Sequence, residues 1–292
     1  MSELNSRGTL YIVATPIGNL EDITHRAVRI LRQADLIACE DTRQTRKLLD
    51  HYGISNPTTS YHEHNEAGRA EELLRKLGEG QNIALVSDAG MPGISDPGYR
   101  VIKLAIERGV TVIPIPGASA ITAALVGSGL PTDAFEFRGF LPARSGQRRT
   151  ALEALLQAKH TVVLYEAPHR IRETLEDVAA ILGNERPVVV ARELTKLHEE
   201  FIRGPASQVL VHFREHEPKG EITLLIGPAS QSATLTPGKT LADRLQKIVV
   251  EQEVDEKEAL KILARETGLP KSELYRELQR NKASQRKVRR RT

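Results

Sequence analysis

Several short strings in this chain carry side chains able to move a proton or hold a charge. Glu40-Asp41-Thr42-Arg43 follows the apolar run Leu36–Cys39. A strand there delivers two carboxylates and a guanidinium to the carboxyl edge of a sheet. Helix capping competes for the same residues, because Asp41 or Thr42 would satisfy free N–H groups of a helix starting near Arg43. The two uses are compatible. Tyr61-His62-Glu63-His64-Asn65-Glu66 sets two imidazoles two residues apart, on one face if the segment is extended. No cysteine or other ligand pattern accompanies them, so no metal is expected. Base or substrate contact and a solvated loop stay open for this pair. Arg192-Glu193-Leu194-Thr195-Lys196, with His198, Glu199 and Glu200, offers Lys196 to hold a phosphate or stabilise an alkoxide. A desolvated Lys196 would also serve as a base. Surface ion pairing is the alternative. Glu166 ends the apolar strand Thr161–Glu166 and belongs by position to the same edge. Arg43, Glu166 and Lys196 are the candidates for catalysis, ahead of any histidine.

Three loops are placed to gather these groups. Ile83–Val86 reads as a buried strand, then breaks into a loop with Gly90, Pro92, Gly93, Pro97 and Gly98 before a helical stretch. A second strand, residues 10–15, runs into Pro16-Ile17-Gly18-Asn19 and a helix from about Glu21. A third, Thr111–Ile115, runs into Pro116-Gly117-Ala118-Ser119 and a small-residue helix over 120–125. Glycines let backbone approach a ligand, and helix starts offer free N–H groups. Loops of this kind at the ends of neighbouring parallel strands line one crevice. None matches G-x-G-x-x-G or G-x-x-x-x-G-K-[ST], so the expected ligand is nucleoside-like without a polyphosphate.

The spacing predicts an α/β protein. After the first strand come a helix (about 21–33), a strand (35–40), a helix (43–51), a short strand near 58–62 and a helix (66–78). A Gly/Pro passage at 127–131 reads as the hinge into a second α/β segment. That segment holds strands at 135–140, 161–166, 188–193, near 201–203 and 222–226, with helices near 146–158, from Pro168 to 182, and over 206–215. The expected divisions are an N-terminal domain (1–127), a second α/β domain (128–229) and a helical appendage with a basic tail (240–292), joined by a linker over 229–239. In the appendage Leu241, Leu245, Ile248 and Val249 share one helical face, and Ala259, Leu260, Ile262 and Leu263 follow. Gly268-Leu269-Pro270 reads as a stop before a further helix with Leu274, Tyr275 and Leu278. Residues 271–292 carry nine Lys/Arg against two Glu, while the whole chain is +3. A basic arm on a mildly acidic body suggests contact with something acidic. Cys39 is the single cysteine, which excludes an internal disulfide and fits a reducing, cytoplasmic setting. No run is apolar enough for a membrane span or signal segment.

The strings TLYIVATPIGNLEDIT, SDAGMPGISDPG and PGASA together resemble the tetrapyrrole-methylase superfamily. CEDTRQT, FRGFLP, YEAPHR, ARELTKLHEE and KGEITLLIG resemble its ribosomal-RNA-methylating branch. The likeness covers roughly residues 8–228. It implies two α/β domains with S-adenosylmethionine bound between them, and 2′-O-methylation of a decoding-region cytidine in small-subunit ribosomal RNA. It also implies a homodimer. By motif, Pro16, Gly18, Asp88, Ala89, Gly90, Met91, Pro92, Gly93, Ser119 and Ala120 should line the donor cleft, closed by Tyr165, Gly220 and Glu221. Methylation of a tetrapyrrole carbon, or a non-catalytic RNA-binding role in ribosome assembly, are the alternatives.

Overall fold

The computed structural model describes residues 7–229, 245, 248–249 and 254–267. The chain forms two compact units, Met1–Pro228 and Ala229–Thr292. The larger unit contains two sheets. In the first, β1 (Thr9–Val13), β2 (Leu36–Cys39), β3 (Thr58–Ser60), β4 (Ile83–Val86) and β5 (Thr111–Ile115) lie in the order β3-β2-β4-β1-β5. All neighbours are parallel. Both faces are covered, which explains the continuous apolar runs of β2 and β4. Leu10, Ile12, Leu36, Ile83 and Leu85 pack against α3 (Glu66–Gly78) and α4 (Tyr99–Glu107). Val13, Ile37, Ala84 and Val86 pack against α1 (His25–Gln33) and α2 (Thr42–His51).

The helix expected from about Glu21 is divided in two. Asn19 caps a 3-10 turn at Leu20–Asp22 by accepting from the Glu21 N–H, and Ile23 is extended. Thr24 then caps α1 by accepting from the Ala27 N–H. Two side-chain acceptors five residues apart each start their own turn. Asp41 caps α2 by accepting from the Arg43 N–H at 2.8 Å.

The second sheet runs β6-β7-β10-β8-β9, built from β6 (Phe135–Phe140), β7 (Thr161–Glu166), β8 (Pro187–Arg192), β9 (Glu200–Pro205) and β10 (Ile222–Ile226). β6 and β7 are parallel and the remaining pairs antiparallel. Val162, Leu164, Val188, Val190 and Leu224 face α6 (Ser145–Glu153), α7 (Ile171–Leu182) and α8 (Ala206–Glu215). The opposite face, with Val163, Val189, Ala191 and Leu225, is covered by Ile121, Ala124 and Leu125 of α5 (Ala120–Ser128). The first sheet therefore launches a helix that packs on the second. The 127–131 passage, expected as a hinge, lies against β9: a Cβ on Gly127 would meet Phe201 Cζ at 2.5 Å. Arg203 also donates to the Gly127 and Ser128 carbonyls.

Two helix ends differ from expectation. α6 stops at Glu153 rather than near 158, where Leu155 and Leu156 N–H groups turn back to carbonyls three residues earlier. α7 begins at Ile171 rather than Pro168, because residues 167–170 close as a turn through Arg170 N–H to Ala167 O.

In the smaller unit, Leu245, Ile248, Ala259 and Leu263 form a cluster around α9 (Glu256–Thr267). Asp255 Oδ1 accepts from the Glu258 N–H at 2.7 Å and starts that helix. The expected linker beyond Ala229, Leu241, the Gly268-Leu269-Pro270 stop, the helix with Leu274, Tyr275 and Leu278, and the basic tail lie outside the described residues. No helix among the described residues is long and apolar enough to cross a membrane.

Candidate active site

The ends of β4, β1 and β5 are neighbours, and backbone pairing sets their loops in register. Thr15 and Gly90 exchange two N–H···O bonds, at 2.9 and 3.1 Å. The Thr15 hydroxyl donates to Ser87 O at 3.1 Å. Gly90 has φ +80°, a conformation that favours glycine, so this inter-loop bridge depends on its residue type. Gly117 lies so close to β1's end that a Cβ there would stand 2.8 Å from Ala14 Cβ.

These loops enclose, with the second sheet, a cavity of about 390 Å³. Such a volume suits a nucleoside-sized ligand. Ile17, Ala89, Gly90, Met91, Ile94, Ser95, Asp96, Ser119, Ala120 and Ile121 form one side. Phe140, Tyr165, Glu166, Ala167, Pro168, Ala191, Leu194, Gly220, Glu221, Ile222 and Thr223 form the other. Among the described residues the lining contains carboxylates but no Lys, Arg or His. The lining is apolar with an acidic charge.

Burial pushes the Asp96 carboxyl up to about 6, with Glu40 and Asp88 adding to the rise against a hydrogen bond from Ser87. Burial also raises the Tyr165 hydroxyl, reinforced by the charges of Asp96 and Glu221. The Tyr165 ring is held edge-on by Phe137 at 5.0 Å and tilted against Phe140 at 5.6 Å. Among the described residues, Ser95, Glu193 and Thr195 are the non-glycine residues with positive φ, at 61°, 52° and 65°. Ser95 lines the cavity, and the other two bracket Leu194, which also lines it. Strain of this kind persists where surrounding structure enforces it, commonly at functional sites.

Of the residues expected from sequence, Ala89, Gly90, Met91, Ser119, Ala120, Tyr165, Gly220 and Glu221 come together in the wall, with Glu166. Pro16, Gly18, Asp88, Pro92 and Gly93 stand outside the lining. Pro16 and Pro92 are buried behind it. A Cβ on Gly93 would only touch Ile102 and residues 98–99, so this glycine serves the loop's own turn. Asp88 Oδ1 accepts from the Asp41 N–H at 3.1 Å and links the ends of β4 and β2. Gly18 lies under Lys196, whose Cγ would be 2.4 Å from a Cβ there.

The three catalytic candidates separate. Glu166 lies in the wall, but its Oε1 accepts from the Ala167 N–H and Oε2 from the Thr174 hydroxyl at 2.6 Å. Arg170 pairs with it at 3.4 Å. Both oxygens are engaged within the wall, a geometry that anchors the start of α7. Lys196 Nζ sits between Glu193 Oε1 at 2.9 Å and Glu221 Oε2 at 3.1 Å, at the rim. Arg43 pairs with Asp41 at 3.0 Å, and its side chain is 88% exposed, outside the cavity. Burial raises the Glu40 carboxyl, with Asp88 adding to it. His62 Nε2 accepts from the Asn65 amide NH2 at 3.1 Å, and its ring lies 6.0 Å from that of His64. Among the described residues no group of three or more His, Cys, Asp or Glu side chains is arranged to hold a metal ion.

Sequence reasoning missed Ser95, Asp96, Phe140, Leu194 and Thr223 as wall residues. Asp96 had a signal: it sits between Ile94 and Pro97 inside the same glycine-rich loop.

The family of tetrapyrrole (corrin/porphyrin) methylases matches residues 9–210. A Synechocystis ribosomal RNA small subunit methyltransferase I is 51% identical over 92% of this chain and 96% of its own length. The protein of that name from Halalkalibacterium halodurans is 49% identical over 93% and 94%. The fold is shared with uroporphyrin-III C-methyltransferase from Thermus thermophilus, solved with S-adenosyl homocysteine. That likeness has a TM-score of 0.54, 16% identity, and coverage of 75% of this chain and 97% of that one. The chain belongs to the tetrapyrrole (corrin/porphyrin) methylase family and, within it, to the ribosomal RNA small subunit methyltransferase I family.

Proposed function

We infer that this protein transfers a methyl group from S-adenosylmethionine to the ribose 2′-oxygen of cytidine 1402 in the decoding region of 16S ribosomal RNA. The observation that carries the reading is 51% identity to a ribosomal RNA small subunit methyltransferase I over 96% of that relative. The substrate on this reading is the RNA of the small subunit, in the cytoplasm, and two copies of the chain act as a homodimer.

S-adenosylmethionine supplies a methyl group already activated on a sulfonium. The residues here suit it, since the lining carries the carboxylates of Asp96 and Glu221, with the Lys196 charge beside Glu221 already shared with Glu193. Ile17, Leu194 and Ile222 exclude water. The first N–H groups of α5, which Ser119 does not cap with its side chain, offer donors to a carboxylate. We assign the proposed donor set as Ala89, Gly90, Met91, Asp96, Ser119, Ala120, Tyr165, Gly220 and Glu221. Pro16, Gly18, Asp88, Pro92 and Gly93 hold its loops in shape.

Alignment of the acceptor is the larger part of the task, and a ribose hydroxyl needs help in losing its proton. We assign Arg43 to RNA phosphate, which its exposure at the β2 edge allows. Lys196 stands at the rim as the cation for a developing alkoxide, and Glu166 positions the wall through α7. The domain at 1–127 supplies the donor loops, that at 128–229 closes them, and the appendage at 240–292 with its basic tail engages RNA.

The test is transfer of label from S-adenosylmethionine to small ribosomal subunits lacking late methylations, with a tetrapyrrole offered in parallel. Label in the RNA supports the reading. Label in the macrocycle, or donor binding without transfer to either, would replace it with one of the two alternatives.

A further inference from the structure

We propose that Glu193 is a positioning residue that fixes the Gly220–Glu221 turn of the cavity wall and, through Lys196, ties that wall to the first loop. This rests on reading the cavity as the donor site. Glu193 lies one residue past β8, where the antiparallel ladder pairs Arg192 with Ile222. Its N–H donates to Glu221 O at 2.9 Å, and its Oε1 accepts from the Glu221 N–H at 2.9 Å. The same oxygen accepts from Lys196 Nζ at 2.9 Å, whose other partner is Glu221 Oε2 at 3.1 Å. One side chain thus holds both the backbone of the turn and the cation that faces it.

Two backbone facts show that the arrangement is specified. Glu193 keeps φ +52°, which a non-glycine residue adopts at a cost, and that conformation lets both its main chain and its carboxylate meet the turn. Gly220 has φ +79°, and a Cβ there would stand 2.2 Å from Glu193 Cδ and Oε1. A side chain at 220 and a carboxylate at this spot are mutually exclusive. Burial alone would raise the Glu193 carboxyl, yet the Glu221 N–H and Lys196 hold it below the usual range. The Lys196 stem crosses Gly18, where a Cβ would be 2.4 Å from Cγ and 3.0 Å from Cε. The hub therefore reaches from the second sheet to the loop after β1.

The test uses the full-length protein, with S-adenosylmethionine affinity by calorimetry, steady-state methylation of small subunits and a thermal melt for each variant. Glu193→Ala is expected to weaken donor affinity and raise its KM about tenfold to a hundredfold, the range for a hydrogen bond to a charged group. Because Glu193 also holds Lys196, kcat at saturating donor should fall as well, by less than the donor KM rises. Glu193→Gln keeps an acceptor for the Glu221 N–H and should recover most of the affinity. Gly220→Ala should reproduce the loss, and the double variant should be no worse than either single one. Should Glu193→Ala fail to fold, the Gln and Gly220→Ala variants carry the comparison. Unchanged donor affinity in the single variants, losses confined to kcat, or additive losses in the pair would overturn the proposal. Failure of the wild type to bind S-adenosylmethionine would overturn the donor reading itself, and this proposal with it.

Discussion

At the scale of single residues, charge and burial assign the work. Asp96 has an ordinary value of 3.8 and is pushed to about 6 in the folded chain. A carboxyl raised in this way favours folding fully below its unfolded value, and that contribution is lost as pH rises through about 6. Asp96→Asn should therefore be more stable than wild type above pH 6 without ligand, with the difference fading below pH 4, as urea titrations would read. A cationic donor prefers the ionised form, so its affinity should fall below pH 6, by at most about tenfold per pH unit, and Asp96→Asn should abolish the dependence. Arg43→Ala should raise the KM for small subunits about threefold to tenfold while leaving donor affinity unchanged, since the side chain lies outside the cavity. Gly90 was legible where a loop leaving a strand demanded a glycine, whereas Gly220 came only from the resemblance of its motif. Asp96 and Phe140 were not legible, because what faces the cavity depends on the opposite sheet. Lys196 was legible as a charge, but its second partner, Glu221, is distant in sequence and appears only when β8 and β10 pair.

At the scale of elements, the strands and their following loops were readable from apolar runs ended by Gly and Pro. Most bounds fall within a residue or two of β1–β10. Helix starts were harder, since they hinge on which side chain captures a free N–H. Asn19 and Thr24 both do so and split one expected helix. The partner of α5 was also hidden: its lack of an amphipathic face gives no hint that it covers Val163, Val189 and Leu225 of the second sheet. The Glu166–Thr174 bond, buried at 2.6 Å, anchors α7 to the end of β7. Thr174→Val should cost about 1–3 kcal/mol of unfolding free energy by leaving that acceptor unpaired, with kcat at permissive temperature nearly intact. A large kcat loss without destabilisation would instead place Glu166 in the chemistry.

At the scale of the molecule, the functional parts are separable. The cavity proposed for the donor belongs to Met1–Pro228, whereas the basic run lies at 271–292. Deleting 271–292 should leave donor binding unchanged, weaken binding to small subunits and flatten its dependence on salt concentration, because fewer counterions are released. Val126 and Leu197 are 77% and 91% exposed, large apolar side chains that an interface between two copies would cover. Light scattering should then report two chains per particle. The acceptor atom distinguishes a ribose methyltransferase from any other kind and is directly measurable. Small subunits labelled by this protein from S-adenosylmethionine would be digested to nucleosides and resolved by mass. Label is expected in 2′-O-methylcytidine, carried on the ribose fragment. Label on the base, or in any other nucleoside, would contradict this reading.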